Sequence, residues 1–138
     1  MKLSRTVDYA LRATILLAQE EPNRPIPCSH LASEGEMPER FLLQILRSLV
    51  NEGLLRSTRG VDGGYTLAQS PTEVSVLNII EAIEGPLHGT SIDAGANNIQ
   101  RASAERLSDA LQEVSNALRR ELNAIKIASL LPPPEDAD

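Results

Sequence analysis

The chain has 138 residues, of which 41% are apolar and 2% aromatic, and its net charge is −6. This length fits one domain, or a small domain with an appended helix, and its single Cys28 excludes an intrachain disulfide. No apolar run approaches the roughly 18 residues of a membrane span, and the first residues lead into a predicted helix rather than a signal peptide, so we expect a cytoplasmic protein without a membrane partner.

The first half of the chain is predicted to be helical. In order, we expect a helix over residues 4–19, a proline-rich loop over 22–27, a short helix over 28–34 and a third helix over 38–52. Gly35 is the expected stop of the short helix. Pro38 suits the first position of the third helix, and Gly53 its C-terminal cap.

The second half begins with a hairpin and ends in a long helix. In order, we expect strands over residues 55–59 and 65–67, a helix over 74–84, an irregular stretch over 87–101, a long helix over 102–122, a short final helix and an acidic tail. Ser75 is expected to open the fourth helix and Gly85 to close it. Asn123 is the expected cap of the final helix.

The third helix has one apolar and one polar face. At ~100° per residue, the apolar face consists of Leu42, Ile45, Leu46 and Leu49, and the polar stripe consists of Arg40, Gln44, Arg47 and Asn51. Arginine can pair with guanine and glutamine with adenine in the major groove of DNA. In helix-turn-helix motifs the N-terminal half of the reading helix reaches the bases, which favours Pro38, Arg40, Phe41 and Gln44 for base contact and Arg47 for phosphate.

Every amphipathic helix has a polar face, so this assignment depends on the hairpin that follows. Its turn carries Arg59, Gly60, Gly63 and Gly64. The glycines permit unusual backbone angles and a close approach to a sugar-phosphate surface, while Arg59 could enter the minor groove or meet a phosphate. The alternative is an ordinary hairpin with a mobile tip. The layout predicts a mainly α fold, a winged helix-turn-helix that binds double-stranded DNA.

The charge is unevenly distributed along the chain. Residues 1–60 hold eight basic and seven acidic residues, or +1, and the remainder holds five basic and twelve acidic residues, or −7, which together give −6. Because an acidic half cannot lie on phosphate, we expect the DNA-binding face in the first half. A footprint this weakly basic predicts modest non-specific affinity and greater dependence on base contacts.

The long helix carries an apolar seam. It consists of Leu107, Leu111, Val114, Leu118, Leu122 and Ile125, with small residues at Ala110, Ala117 and Ala124. Such a seam suits packing against the same helix of a second copy, giving a homodimer. The alternative is that it covers the protein's own first and fourth helices.

Four segments resemble the Rrf-type (IscR-, NsrR- and CymR-like) family of bacterial winged-helix transcriptional regulators. They are the wing at residues 57–67, the first helix from 1–12, the recognition helix at 38–46 and the fourth helix at 76–85. The resemblance implies a long C-terminal dimerisation helix and a homodimer on a palindromic promoter site, acting as a repressor. It also adds Ser4, Arg5 and Tyr9 to the DNA-binding positions. Leu43 departs from the carboxylate that some members have there.

Many members bind an iron–sulfur cluster through three cysteines in the irregular loop. Here that loop contains no cysteine, and the only conceivable leftover ligands are Asp8, Cys28, His30 and His88. Cys28 and His30 are two residues apart on a short helix and do not face each other. We therefore predict no metal and no cofactor. Either the chain is naturally cluster-free, responding to a protein partner, a small-molecule effector or Cys28, or its cysteines have been replaced by alanine and serine.

Cys28 follows Pro27 at a helix start, where the helix dipole lowers a thiol pKa, although we favour a small apolar role for it. The sequence contains no catalytic triad, phosphate loop or zinc motif, so an enzyme is not expected. The alternative function is a protein-interaction module on the same fold, whose DNA binding is weak or depends on a partner protein.

The predicted organisation has four parts. They are a winged helix-turn-helix DNA-binding domain over residues 1–86, a former sensor loop over 87–101, a dimerisation helix with a short final helix over 102–130, and a disordered tail over 131–138.

Overall fold

The computed structural model describes residues 2–20, 22–87 and 100–133. In chain order the elements are α1 (Arg5–Gln19), α2 (Cys28–Gly35), α3 (Glu39–Asn51), β1 (Leu55–Thr58), β2 (Gly64–Leu67), α4 (Val76–Glu84), α5 (Arg101–Ala124) and a short 3₁₀ helix (Ile127–Leu130). The mainly α fold with a two-stranded wing and a long C-terminal helix is confirmed. Most of the predicted irregular loop, 88–99, and the end of the tail, 134–138, lie outside the described residues.

Serine side chains fix the starts of two helices. The Ser4 hydroxyl accepts a hydrogen bond from the Val7 N–H at 3.2 Å and so caps α1. Ser75 forms a reciprocal capping box with Asn78 at α4, since each side chain accepts a bond from the other residue's N–H, at 3.0 and 2.8 Å. A cap of this kind is worth ~1 kcal/mol. The opening of the fourth helix at Ser75 is therefore as predicted, with the helix proper beginning at Val76.

One predicted helix end is shifted by one residue, and one is wrong. Gly35 is the buried last residue of α2, and the left-handed residue that follows the helix is Glu36, with φ 52°. An added Cβ on Gly35 would lie 2.5 Å from the Met37 Cε atom, which is the flexible end of a side chain that would have to shift. Asn123 does not cap a final helix, since α5 continues to Ala124. Gly53, with a positive φ of 79°, follows directly after Glu52 at the C-terminal end of α3, where the sequence predicted a glycine cap.

The strand and helix bounds differ by small amounts elsewhere. Pro38 precedes α3 rather than opening it, Arg59 lies beyond β1, and β2 begins one residue earlier, at Gly64. None of these shifts changes which face a side chain occupies. No helix in the described ranges is both long and apolar enough to cross a membrane.

The core is centred on the apolar face of α3. Leu42, Leu46 and Leu49 are fully buried, and Ile45 is 3% exposed. They pack with buried side chains of the first two helices, among them Ala10, Ala13, Leu17, Leu31 and Ala32. Burial of each leucine contributes ~1.5–3 kcal/mol. This packing fixes which side of α3 faces inward, and therefore which side faces solvent.

The wing is joined to the helices through the loop before α2. β1 and β2 pair antiparallel, and Ile26 adds an isolated bridge to Tyr65 through two backbone hydrogen bonds of 3.0 and 2.9 Å. Gly64, with φ 151°, lies so close to this bridge that a Cβ would be 2.4 Å from the Ile26 carbonyl. The start of β2 is thus fixed to the same body that holds α3.

The end of α5 returns to that body. The Val76 N–H donates to the Ile125 carbonyl at 2.9 Å, and the Ile127 N–H donates to the Val74 carbonyl at 2.8 Å. Ile127 is fully buried. Earlier in α5, before these contacts, Arg119 forms an ion pair with Glu81 of α4. The long helix is therefore anchored at its C-terminal end.

A pair of glycine substitutions tests the wing attachment. Gly60 also has a positive φ, 113°, but an added Cβ there would meet nothing within 4 Å. Gly64→Ala should therefore lower the free energy of unfolding by ~1–3 kcal/mol more than Gly60→Ala, because only Gly64→Ala adds steric overlap to backbone strain. Urea denaturation measures both. Equal losses would contradict the close approach to Ile26.

Candidate nucleic-acid interface

The polar stripe of α3 faces solvent. Arg40, Gln44, Arg47 and Asn51 are all exposed, at steps of four, three and four residues along one side of the helix. Neither Arg40 nor Arg47 takes part in an ion pair with any residue that the structure describes. The stripe therefore presents free guanidinium and amide groups of the kind that read base edges in a major groove.

Two residues predicted for DNA contact pack against each other between α1 and α3. The rings of Tyr9 and Phe41 are half-buried and pack edge to face, with centroids 5.8 Å apart and planes at 77°. The Arg12 guanidinium lies 5.4 Å from the Tyr9 ring centre and donates to the Gly35 carbonyl at 2.8 Å. Since such ring pairs contribute ~0.5–1.5 kcal/mol, Tyr9 and Phe41 orient α3 against α1.

Three further positions were predicted for DNA contact: Ser4, Arg5 and Pro38. The Ser4 hydroxyl is engaged as the cap of α1, whereas Arg5 is exposed. Pro38 is also exposed and lies directly before the first turn of α3. All three of these residues are therefore at the surface, and the Ser4 hydroxyl also caps α1.

Two of the three wing glycines are required by close contacts within the protein. An added Cβ on Gly63 would lie 2.2 Å from the Thr58 carbonyl oxygen, and one on Gly64 would meet the Ile26 backbone. Both glycines are thus required by the protein's own backbone, and only Gly60 has open space around it. Arg59 is exposed beside Gly60, and Val61 at the tip is fully exposed.

One basic residue of the wing was not among the positions predicted from the sequence. Arg56 is exposed on β1, directly after buried Leu55, and pairs across the strands with Thr66. The alternation of inward leucine and outward arginine is the signal that could have identified it.

A charged residue of α3 influences a titratable residue of the wing. Burial raises the pKa of Tyr65 in β2, the nearby Cys28 thiol adds to this increase, and the positive charge of Arg47 opposes it. Arg47 of α3 therefore lies close enough to Tyr65 of β2 to affect the charge of its phenol group.

The predicted apolar seam of α5 is divided between two faces. Leu122 is buried against Val76 and Leu77 of α4, and Leu118 is half-buried beside it. These two belong to the protomer's own core, so Leu122 is not available to a partner. In contrast, Leu107 is 43% and Val114 65% exposed. Leu111 is half-buried between the two groups.

The leftover metal-ligand candidates do not converge. The Asp8 carboxylate accepts from Arg12 at 2.8 Å, His30 lies 3.8 Å from Glu34, and the Cys28 thiol donates to the Glu39 carbonyl at 3.6 Å. Within the described ranges no three histidine, cysteine or acidic side chains are grouped to hold a metal ion. His88 lies outside the described residues.

The Cys28 thiol is not activated, contrary to the effect expected of a helix start. Burial raises its pKa above the ordinary value of 9.0, and the nearby Glu39 carboxylate raises it further. Desolvation and a like charge both disfavour the thiolate. The half-buried position agrees with a small apolar role.

A helical core whose third helix exposes a polar stripe, followed by a two-stranded wing fixed to the same core, defines a winged helix-turn-helix protein. Residues 3–133 match the Rrf2 family, described as an iron-dependent transcriptional regulator. The chain therefore belongs to the Rrf2 family of transcriptional regulators. This confirms the family resemblance and the transcriptional function, and the family is one of regulators rather than enzymes.

Relatives and solved structures extend the match along most of the chain. An HTH-type transcriptional regulator of Mycobacterium tuberculosis is 33% identical over 91% of this chain and 75% of its own. CymR of Bacillus subtilis is 32% identical over 83% of each chain, and its structure superposes with a TM-score of 0.77, 26% identity and 94% and 95% coverage. The structure of T. potens IscR gives a TM-score of 0.71, 25% identity and 94% and 85% coverage.

The iron of the family description cannot be held here as a cluster bound by several cysteines. An iron–sulfur cluster needs several thiolates, whereas the chain has one cysteine in its whole sequence. That thiol is held protonated by its surroundings and donates to a backbone carbonyl. The donor set therefore differs from that of a cysteine-ligated cluster.

Alkylation kinetics test the state of Cys28. Since the raised pKa lowers the thiolate fraction at a given pH, iodoacetamide should react more slowly with the folded protein than with the protein in urea at pH 8. The raised pKa also means that the thiol's contribution to stability is present below the unfolded pKa and lost as pH rises through the folded one. The same substitution at two sites provides the control: Glu39→Gln should speed alkylation and Glu36→Gln should not. A faster reaction in the folded protein would contradict this.

Proposed function

We propose that the chain is a homodimeric repressor that binds a palindromic site in double-stranded promoter DNA. In this proposal α3 enters the major groove, with Arg40 and Gln44 on base edges and Arg47 on phosphate. The observation that most strongly supports this proposal is the exposed polar stripe of α3, which lies opposite a buried apolar face. That burial holds the stripe in one orientation, as base readout requires.

The wing supplies a second contact. Arg59 is exposed beside Gly60, and its guanidinium would lie in the minor groove or against phosphate. Val61 at the tip would contact the sugar walls next to it. The close approach of Gly64 to the Ile26 backbone holds the start of β2 and so keeps this contact in register with α3.

The exposed flank of α5 supports the homodimer. We give this name to Leu107, Ala110, Val114 and Ala117, which share one side of the helix at ~100° per residue. Val114 at 65% exposure would be covered by the same flank of a second copy. A two-fold dimer would place two copies of α3 about one DNA turn apart, ~34 Å.

Repression would follow from occupancy of the promoter, and the site of action would be the cytoplasm. Because the donor set does not fit a cysteine-ligated cluster, control would come from a protein or small-molecule effector. With no cluster to gain or lose, DNA affinity should not depend on iron supply.

A second candidate is a protein-interaction module with weak DNA binding. It is favoured by the acidic second half of the chain, where residues 61–138 hold five basic and twelve acidic residues. This excess of negative charge disfavours contact with phosphate and suits a basic protein partner. The two functions differ in whether the isolated protein selects a DNA sequence.

Two substitutions separate base readout from phosphate contact. The DNA is the double-stranded site that the wild-type protein enriches from a random library, compared with a scrambled site of the same length. Gln44→Ala should cost ~1–3 kcal/mol on the selected site and little on the scrambled one. Arg59→Ala should weaken both alike and reduce the salt slope by about one.

Fluorescence anisotropy across a salt series measures these affinities. Gln19→Ala and Arg106→Ala remove the same side-chain types from exposed positions away from α3 and the wing, and both should bind as wild type does. If no sequence is enriched and no DNA binds at low salt, the interaction-module function replaces the proposed one.

Charge placed on α5 tests the dimer. Val114→Asp buries a carboxylate in the proposed interface and should shift sedimentation toward the monomer at micromolar protein, because desolvating the charge is costly. Asn116→Asp adds the same charge on an exposed position well around the helix and should leave the dimer intact. Thermal melting of both variants checks that the protomer fold is retained. A Val114→Asp protein that remains dimeric would exclude this flank as the interface.

A further inference from the structure

A cavity of about 310 Å³ lies where the end of α1 meets the base of the wing. Its floor is apolar, with Leu17 from α1, Leu67 from β2 and Pro71 from the segment that follows. Its rim is polar and includes Arg24 and Arg56. Ligand pockets of proteins span roughly 300–1,000 Å³ and combine an apolar lining with a few polar groups, so this cavity has the size and lining of a small-ligand site.

Among the residues that the structure describes, the rim has an excess of positive charge. Arg24 lies 3.9 Å from Glu20, the one carboxylate that lines the cavity among the described residues. Arg56 takes part in no ion pair within the described part of the chain. A guanidinium in this position can bind a carboxylate through two parallel hydrogen bonds. An apolar floor beneath two guanidiniums suits an organic anion with an apolar body.

One wall of the cavity belongs to the wing itself. Arg56 and Thr66 are opposite each other on β1 and β2, and both line the cavity. Arg59 of the wing is three residues beyond Arg56, which is ~10 Å along an extended strand. That distance is close to the screening length at physiological ionic strength, ~8 Å. A charge bound at the rim therefore acts on the part of the wing proposed to meet DNA.

We propose that this cavity is an effector site for a small organic carboxylate with an apolar body. The cavity has the volume of about ten water molecules in the liquid, which corresponds to a ligand of about ten non-hydrogen atoms. Its carboxylate pairs with Arg56, and its apolar body covers Leu17 and Leu67. The bound anion lowers DNA affinity by neutralising Arg56 and placing negative charge near Arg59. This consequence for DNA rests on the proposed function, whereas ligand binding itself does not.

The binding test uses the full chain without DNA. Phenylacetate and its neutral isostere phenylacetamide, with ten non-hydrogen atoms each, are titrated into ¹⁵N-labelled protein. Phenylacetate should give saturable shifts at the amides of Thr66 and Leu67 with a Kd of about 1 mM or below. Phenylacetamide should bind about tenfold more weakly, because it lacks the charge that pairs with Arg56.

A matched pair of substitutions locates the site. Arg56→Gln should weaken phenylacetate binding about tenfold, and Arg106→Gln, which removes the same charge from the surface of α5, should leave it unchanged. Unperturbed amides outside the cavity show that Arg56→Gln is folded. Shifts that do not saturate, or equal binding of the acid and the amide, would overturn the proposal.

The regulatory consequence is measured separately. At saturating phenylacetate the affinity for the selected DNA should fall about three- to tenfold, as expected for the loss of about one cationic contact, and phenylacetamide should have no effect. A saturated site with unchanged DNA affinity would overturn the effector role. If phenylacetate does not bind and Arg56→Gln weakens every DNA sequence alike, Arg56 serves the DNA backbone and the effector site is excluded. Because ligand binding is read without DNA, failure of DNA binding cannot be mistaken for failure of the site.

Discussion

The apolar face of α3 is the constraint on which the remaining structure depends. Leu42, Leu46 and Leu49 are fully buried, so α3 cannot rotate about its axis without exposing them. A rotation that exposed even one leucine would cost ~1.5–3 kcal/mol, a large part of a small domain's stability of ~5–15 kcal/mol. The Tyr9–Phe41 ring pair adds a second restraint at the start of the helix. A recognition surface can therefore be held in place without any bound ligand.

The wing and the long helix are attached to this body at defined points. Ile26, from the loop before α2, bonds to Tyr65 in the wing, and Gly64 admits that contact. At the other end of the chain, Ile127 is buried and bonds to the residue two before α4. The reading elements and the proposed dimer helix are thus parts of one body. A change at the wing base or at the α4–α5 contact can reach the DNA face through packed groups.

Local patterns were predictable from the sequence, and contacts between distant segments were not. Apolar spacing identified α1, α3 and α5, and Ser75 marked the start of α4, because these features involve neighbours along the chain. The demand for glycine at Gly64 arises from Ile26, which no local pattern reveals. The sequence predicted one continuous apolar stripe along α5, yet Leu122 packs on α4 while Val114 faces solvent. The Cys28 pKa depends on burial and on Glu39, which follows eleven residues later.

The central claim is that the polar stripe of α3 and the tip of the wing form the DNA-binding face. Amide chemical-shift mapping with the selected double-stranded site tests it most directly. The claim predicts that the largest perturbations fall in residues 39–47 and 58–64, with small changes over α5, residues 101–124. Perturbations concentrated in 101–124, with 39–47 unaffected, would contradict it.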